Sequence, residues 1–230
     1  MLASRHISRA HDAPVHVSIV DPSSSYVASG SADGVVKVWD IHRGYVTHVF
    51  KGHGGVVSAI AFHYRPVREV GDTATFRLCT GSVDNKIRIF DLAASHSSRG
   101  AKPKIVLEGH VSVPRAIAVS TDGRWLVSGG RDAVALIWDL TAYGKGKLAS
   151  TALVKTIPTL ERVEAVGILE SDVDSSVTPS FKFYTGGELG TIKIWDAWKG
   201  KVVASLAPQH AHVASNEETV EEQREILNVL

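Results

Sequence analysis

Cysteine is all but missing from these 230 residues. Cys79 stands alone, so no internal disulfide can form and the chain suits a reducing compartment. Its apolar setting, Phe76-Arg77-Leu78-Cys79, marks it as a small buried hydrophobe, with no basic cluster or helix start beside it to activate a thiol. Net charge is nearly absent too. At +1 there is no overall positive field to draw the chain onto nucleic acid or an anionic membrane, so any such contact must come from a local patch. No apolar run approaches the roughly 18 residues that a membrane-spanning helix requires. Residues 1–10 hold Arg5 and Arg9 without an acid, a faint likeness to a transit peptide that the repeats below account for better. What is present is ordinary: 44% hydrophobic and 21% charged residues, the usage of a folded globular body, at a length that one all-β domain can reach.

Self-similarity organises the chain. Val38-Trp39-Asp40, Ile89-Phe90-Asp91, Ile137-Trp138-Asp139 and Ile194-Trp195-Asp196 repeat one tripeptide type, their aspartates 51, 48 and 57 residues apart. A four-stranded repeat built on this signature takes about 40 to 45 residues, so the surplus is loop insertion. Upstream of each lies a matching block: Ser29-Gly30-Ser31-Ala32-Asp33-Gly34, Thr80-Gly81-Ser82-Val83-Asp84-Asn85, Ser128-Gly129-Gly130-Arg131-Asp132-Ala133 and Thr185-Gly186-Gly187-Glu188-Leu189-Gly190. Each reads as a strand end followed by a tight turn, with short apolar runs such as Trp125-Leu126-Val127 before it and Ile192-Lys193-Ile194 after it. Gly52-His53, Gly109-His110 and Ala10-His11 open the strands further upstream. Four strands per repeat follow.

Gly-His, Ser/Thr-Gly-Ser-x-Asp and Trp-Asp in this order resemble the WD-repeat family. The resemblance implies an all-β fold, a WD-repeat β-propeller of four blades with four antiparallel strands each, part of a larger seven-bladed propeller. It also implies a buried hydrogen-bonded tetrad in each blade: His11, Ser29, Asp33 and Trp39 in the first, His110, Ser128, Asp132 and Trp138 in the third. The second repeat departs, with His53, Thr80 and Asp84 kept but Phe90 in place of the indole. The fourth keeps Thr185 and Trp195, has Leu189 where Asp is expected and lacks a Gly-His, so apolar packing is expected to hold it. A His-Ser-Asp set could suggest a nucleophilic triad, but a triad needs an exposed hydroxyl, a cleft and an oxyanion pocket. Recurrence in two repeats favours a structural role, and no enzyme, cofactor or small-molecule substrate is expected.

The blades are expected at residues 11–50, 51–108, 109–157 and 158–207. Residues 1–10 read as the last strand of a preceding blade and 208–230 as a linker and the start of a truncated next one. An open fan of four leaves uncovered faces and unpaired edges that call for self-association or a partner. Closer wording, His11-Asp12-Ala13-Pro14-Val15, Ala61-Phe62-His63, Gly130-Arg131-Asp132 and Arg162-Val163-Glu164-Ala165-Val166, resembles one family within the WD repeats, that of transducin-beta-like protein three and the fungal U-three small nucleolar RNA-associated protein thirteen. The resemblance implies a nucleolar scaffold of the small-subunit processome that serves ribosomal RNA processing. Its partners would be other subunits of a large ribonucleoprotein assembly, with RNA contact and no membrane. A generic WD adaptor, such as a ubiquitin-ligase substrate receptor or a signalling hub, is the alternative.

In an antiparallel blade the insertions at 64–75, 93–104, 141–147 and 170–180 all fall on one end. The first three carry Arg65, Arg68, Arg99, Lys102, Lys104, Lys145 and Lys147 against Glu69 and Asp72 alone. These are either solvated loops or a surface for RNA phosphate or an acidic protein segment. The acidic run Glu170, Asp172, Asp174 lacks the glycine and terminal glutamate of a calcium loop, and His210 with His212 has no further zinc ligand, so no metal is expected. Glu217, Glu218, Glu221 and Glu222 read as a solvated stretch.

Overall fold

The computed structural model describes residues 9–65, 75–92, 102–141, 152–169 and 181–206. Within them run sixteen strands in four antiparallel sheets. Sheet one holds β1 (Val15–Val20), β2 (Tyr26–Ser31), β3 (Val36–Asp40) and β4 (Tyr45–Phe50). Sheet two holds β5 (Val57–Arg65), β6 (Thr75–Ser82), β7 (Lys86–Asp91) and β8 (Ile105–Glu108). Sheet three holds β9 (Pro114–Val119), β10 (Trp125–Gly130), β11 (Val134–Asp139) and β12 (Leu153–Pro158), and sheet four β13 (Val163–Leu169), β14 (Lys182–Gly187), β15 (Ile192–Asp196) and β16 (Lys201–Leu206). Each sheet is an up-and-down meander in chain order. The first strands abut in series, β1 on β5, β5 on β9 and β9 on β13, so the sheets fan out from a shared inner edge as propeller blades do, and the row is not closed. Residues 1–8 and 207–230, and with them the proposed preceding strand and truncated next blade, lie outside the described residues.

Period-two alternation gives every sheet two apolar faces. The front face carries the aromatic residue of the Trp-Asp pair, and the back face carries the residues on either side of it. At each junction a back face packs on the next front face. Ala28, Val36, Val38 and Phe50 of sheet one meet Leu78, Phe90 and Leu92 of sheet two, with Phe50 stacked on Phe90 at 4.2 Å between ring centres. Cys79, Ile87, Ile89 and Leu107 meet Leu126, Trp138 and Leu140. Val127, Ala135, Ile137 and Ile157 meet Phe183, Trp195 and Ala197. Each valine, leucine, isoleucine or phenylalanine among them, fully buried, contributes about 1.5–3 kcal/mol.

In sheets one to three the glycine after the Ser/Thr sits where the next sheet comes closest. A Cβ on Gly129 would lie 2.3 Å from Val163 Cγ1, and one on Gly30 2.5 Å from Val57 Cγ1. At Gly186 the same Cβ would meet only Ala165 of its own sheet, at 3.3 Å. Gly129→Ala is therefore expected to cost about 1–3 kcal/mol by overpacking, and Gly186→Ala to be close to neutral. Urea denaturation of the two variants checks the contrast.

A polar contact also bridges sheets two and three. His63 on β5 is buried, and its Nε2–H donates to the Thr121 carbonyl at 3.1 Å, while Arg77 donates to the Gly123 carbonyl at 3.2 Å. His63 Nδ1 is buried without a partner among the described residues. Burial first, with Arg77 adding to it, holds the imidazole below its ordinary 6.5 against the opposing Thr121 bond. Below pH 6.5 the unfolded chain takes up the proton before the folded one, so this group's stabilisation is complete above 6.5 and fades as pH falls toward the folded value. Wild-type stability is expected to decline between pH 7.5 and 5.5, and His63→Gln to flatten that decline in urea titrations.

Candidate functional site

Sheet three shows the full polar chain. The indole of Trp138 on β11 donates to Ser128 Oγ on β10 at 2.9 Å, Ser128 Oγ meets His110 Nε2 at 2.8 Å, and His110 Nδ1 meets Asp132 Oδ2 at 2.8 Å. Asp132 also accepts the Val111 amide at 3.1 Å. Since the indole only donates and the carboxylate only accepts, the run is ordered: indole to hydroxyl, hydroxyl to Nε2, Nδ1–H to carboxylate. Burial pushes the Asp132 carboxyl up, but the hydrogen bonds from His110 and the Val111 amide outweigh it and hold the carboxyl below its ordinary range. Sheet one repeats this with Trp39 to Ser29 at 2.9 Å, Ser29 to His11 at 2.8 Å and His11 to Asp33 at 3.3 Å. The Ser29 and Ser128 hydroxyls are buried, out of reach of a substrate.

Sheet two replaces what Phe90 removes. His53 Nε2 meets Thr80 Oγ1 at 2.8 Å and Nδ1 lies 3.3 Å from Asp84, much as in the other sheets. Arg88 then enters the cluster: its Nη1 lies 2.6 Å from Asp84 Oδ2 and 2.6 Å from His53 Nδ1. A guanidinium can only donate, so Nδ1 is the acceptor and Nε2 carries the hydrogen toward Thr80. Thr80 in turn donates to the Arg88 carbonyl at 3.3 Å. The hydrogen-bond direction is reversed relative to sheets one and three. Burial holds the His53 imidazole low, with Asp84 opposing and Arg88 adding to the shift.

Sheet four has the expected apolar packing, Phe183, Trp195 and Ala197 lying against sheet three, and adds polar contacts to it. Trp195 donates to Thr185 Oγ1 at 2.9 Å. Leu189, in the aspartate position, turns out to solvent at 73% exposure. Thr159 stands four residues before β13, as His110 stands before β9, and Glu161 follows it, buried. Glu161 Oε1 pairs with Lys193 Nζ at 2.6 Å and accepts the Thr191 hydroxyl at 2.9 Å. An ion pair thus occupies the place of the lost His-Asp pair. Arg88 and Lys193 both lie two residues before the aromatic of the Trp-Asp tripeptide. Lys37 shares that position beside an intact tetrad, its Nζ donating to the Ala10 carbonyl at 2.7 Å, so a basic residue there is no clear sign of replacement.

Of the seven basic loop residues, Arg65, Lys102 and Lys104 are described, while Arg68, Arg99, Lys145 and Lys147 lie outside the described residues. Arg65 ends β5, and Lys104, just before β8, pairs with Asp91 at 3.0 Å. The acidic insertion at 170–180, the His210–His212 pair and the acidic stretch at 217–222 also fall outside. Cys79 is fully buried, and its thiol is pushed up to about 12 by that burial, too high for a reactive thiolate.

Comparison with known sequences agrees with this geometry. The pattern of the family described as WD domain, G-beta repeat matches residues 3–40, 44–91 and 101–139, stopping short of the sheet that has lost its His and Asp. Transducin beta-like protein 3 of Homo sapiens is 36% identical over 200 residues, covering 86% of this chain and 22% of the relative, and that of Bos taurus is 33% identical over 196 residues. U3 small nucleolar RNA-associated protein 13 of Saccharomyces cerevisiae is 28% identical over 202 residues, or 83% of this chain. The chain spans about a fifth of the length of these curated relatives. With the repeat pattern matched over more than half its length, this chain belongs to the WD domain, G-beta repeat family.

Proposed function

We propose that this chain is a non-catalytic scaffold of the nucleolar small-subunit processome, supporting pre-ribosomal RNA processing through contacts with other subunits and with RNA. The observation that carries the reading is the similarity over more than four-fifths of the chain to a relative named for association with U3 small nucleolar RNA. Transducin beta-like protein 3 of four mammals matches over the same extent. A blade whose polar groups are spent on internal hydrogen bonds leaves its loops to do the recognising.

Affinity purification of the tagged chain, read by RNA sequencing and mass spectrometry, tests the assignment. Recovery of a small nucleolar RNA with ribosome-assembly subunits is the expected result, and ubiquitin-ligase subunits in their place would support the generic adaptor. For the loop end, neutralising Arg65, Arg68, Arg99, Lys102, Lys104, Lys145 and Lys147 together is expected to weaken RNA retention and flatten its dependence on salt. Unchanged retention and salt slope would assign these loops to solvent.

A further inference from the structure

Of the chain's five indoles, four serve the sheets themselves. Trp125, Trp138 and Trp195 are at most 7% exposed, and Trp39 donates to Ser29 from its half-buried place on β3. Trp198 stands apart, 53% exposed in the turn between β15 and β16. That turn is fixed by its own bonds: Asp196 Oδ1 accepts the Lys199 amide at 2.7 Å, and the Asp196 carbonyl accepts the Gly200 amide at 2.8 Å. Lys155, on β12 of sheet three, crosses to it. Its Nζ donates to the Trp198 carbonyl and lies over the indole, 5.7 Å from the ring centre. Its stem runs so close to the turn that a Cβ on Gly200, at φ +67°, would come 3.0 Å from Lys155 Cε. Both sides of the site thus belong to the junction between two described sheets.

The result is a flat apolar ring, half open to solvent, with cations held beside it. An ammonium has three hydrogens, and the Trp198 carbonyl takes one of those on Lys155. Lys199 adds a second cation, its side chain 71% exposed and only loosely paired with Asp196 at 3.8 Å. The matching turn of sheet one repeats the combination: exposed His42 and Arg43 stand where Trp198 and Lys199 do, and the Arg43 amide donates to Asp40 at 2.8 Å. These turns lie at the end of the fan where β5 finishes in Arg65 and where Lys102 and Lys104 lead into β8. A ligand that uses both features needs a flat face and a negative charge. A nucleobase with its phosphate has both, whereas an acidic peptide supplies the charge without the face. The base must be unpaired, because a duplex keeps its bases stacked on one another.

We infer that Trp198 is a stacking platform for an unpaired base of single-stranded RNA, with Lys155 and Lys199 meeting the adjoining phosphates. The inference rests on the RNA contact proposed above and adds the place where a base, as distinct from the backbone, is held. Lys155 fixes the turn before any ligand arrives, so little ordering is left for binding to offset.

Titration of a labelled single-stranded oligouridylate with the 230-residue chain, read by fluorescence anisotropy beside an abasic ribose-phosphate strand of the same length, tests this. Trp198→Ala is expected to weaken binding of the oligouridylate about 5- to 150-fold. Trp198→Phe keeps a stacking face and is expected to restore most of the loss. Both variants are expected to bind the abasic strand as the wild type does, which a misfolded variant would not. Oligouridylate bound equally by the wild type and Trp198→Ala, or a loss of the same size on both strands, would overturn the platform while the RNA contact of the proposed function stands. A wild-type chain that binds neither strand would overturn both. Polyglutamate bound as tightly, with the same dependence on Trp198, would give the site to an acidic protein segment and end the inference.

Discussion

His110→Ala is expected to remove about 3–5 kcal/mol of folding stability, among the largest losses available to a single substitution in this chain. The reason lies in what stays behind. Asp132 is held as a carboxylate with its side chain 1% exposed, and His110 is its main partner. Without the imidazole, the charge keeps only backbone amides, those of Val111 and of Asp132 itself, and Ser128 loses the acceptor for its hydroxyl. Breaking a buried pair costs more than the pair itself contributes, because the remaining charge stays desolvated. His11→Ala makes the same cut in sheet one, where Asp33 is 18% exposed and water can reach the orphaned carboxylate. Its cost is expected to be about 1–3 kcal/mol. Urea titration of the two variants checks the order, and equal losses would mean that burial of the carboxylate does not set the cost.

The same contrast explains how much could be read from residue order. The tetrads of sheets one and three were legible because their members sit at fixed intervals. His to Ser spans 18 residues in both, since each sheet has a first strand and a turn of the same length between them. Strands and turns were legible for a similar reason. Asn85 and Gly190 close their turns at positive φ with amide bonds of 3.0 and 3.1 Å, and the sequence places turn-formers there. Arg88 and Lys193 were not legible in their roles. A charged residue on a strand reads as solvent-facing, and only the approach of neighbouring loops makes it an internal partner. Glu161 is the sharper case, a glutamate beside a loop that is buried because Gly187 leaves room where a Cβ would overlap it. Tertiary closure sets that burial, and no local pattern announces it. In the sequence His63 is one residue of Ala61-Phe62-His63, and its place between two sheets depends on how a turn from sheet three docks on sheet two.

Lys193→Ala is expected to cost about 3–5 kcal/mol near neutral pH, and its cost should shrink in acid. In the wild type the Glu161 carboxyl is held below its ordinary 4.5, first by the Lys193 hydrogen bond, against burial, with Thr191 and the Leu189 amide assisting. Its folded value is therefore lower than its unfolded one, so the stabilisation is complete above 4.5 and is lost as pH falls through the folded value. Removing Lys193 takes away the leading favourable contact, so the carboxyl rises from its wild-type position while the Thr191 hydroxyl and the Leu189 amide still hold it against burial. The variant therefore has less stability to lose to acid than the wild type. The gap between the two should narrow as pH falls from 7 past 4.5. The double substitution Glu161→Gln with Lys193→Met removes both charges, and it should recover most of the loss and show little of this pH dependence, because an apolar or neutral pair of similar volume avoids the desolvation that an unpaired ion suffers. A Lys193→Ala cost that stays constant with pH would mean that Glu161 is not ionised in the folded chain, and that the sheet without a His-Asp pair is held by Trp195, Phe183 and their neighbours after all.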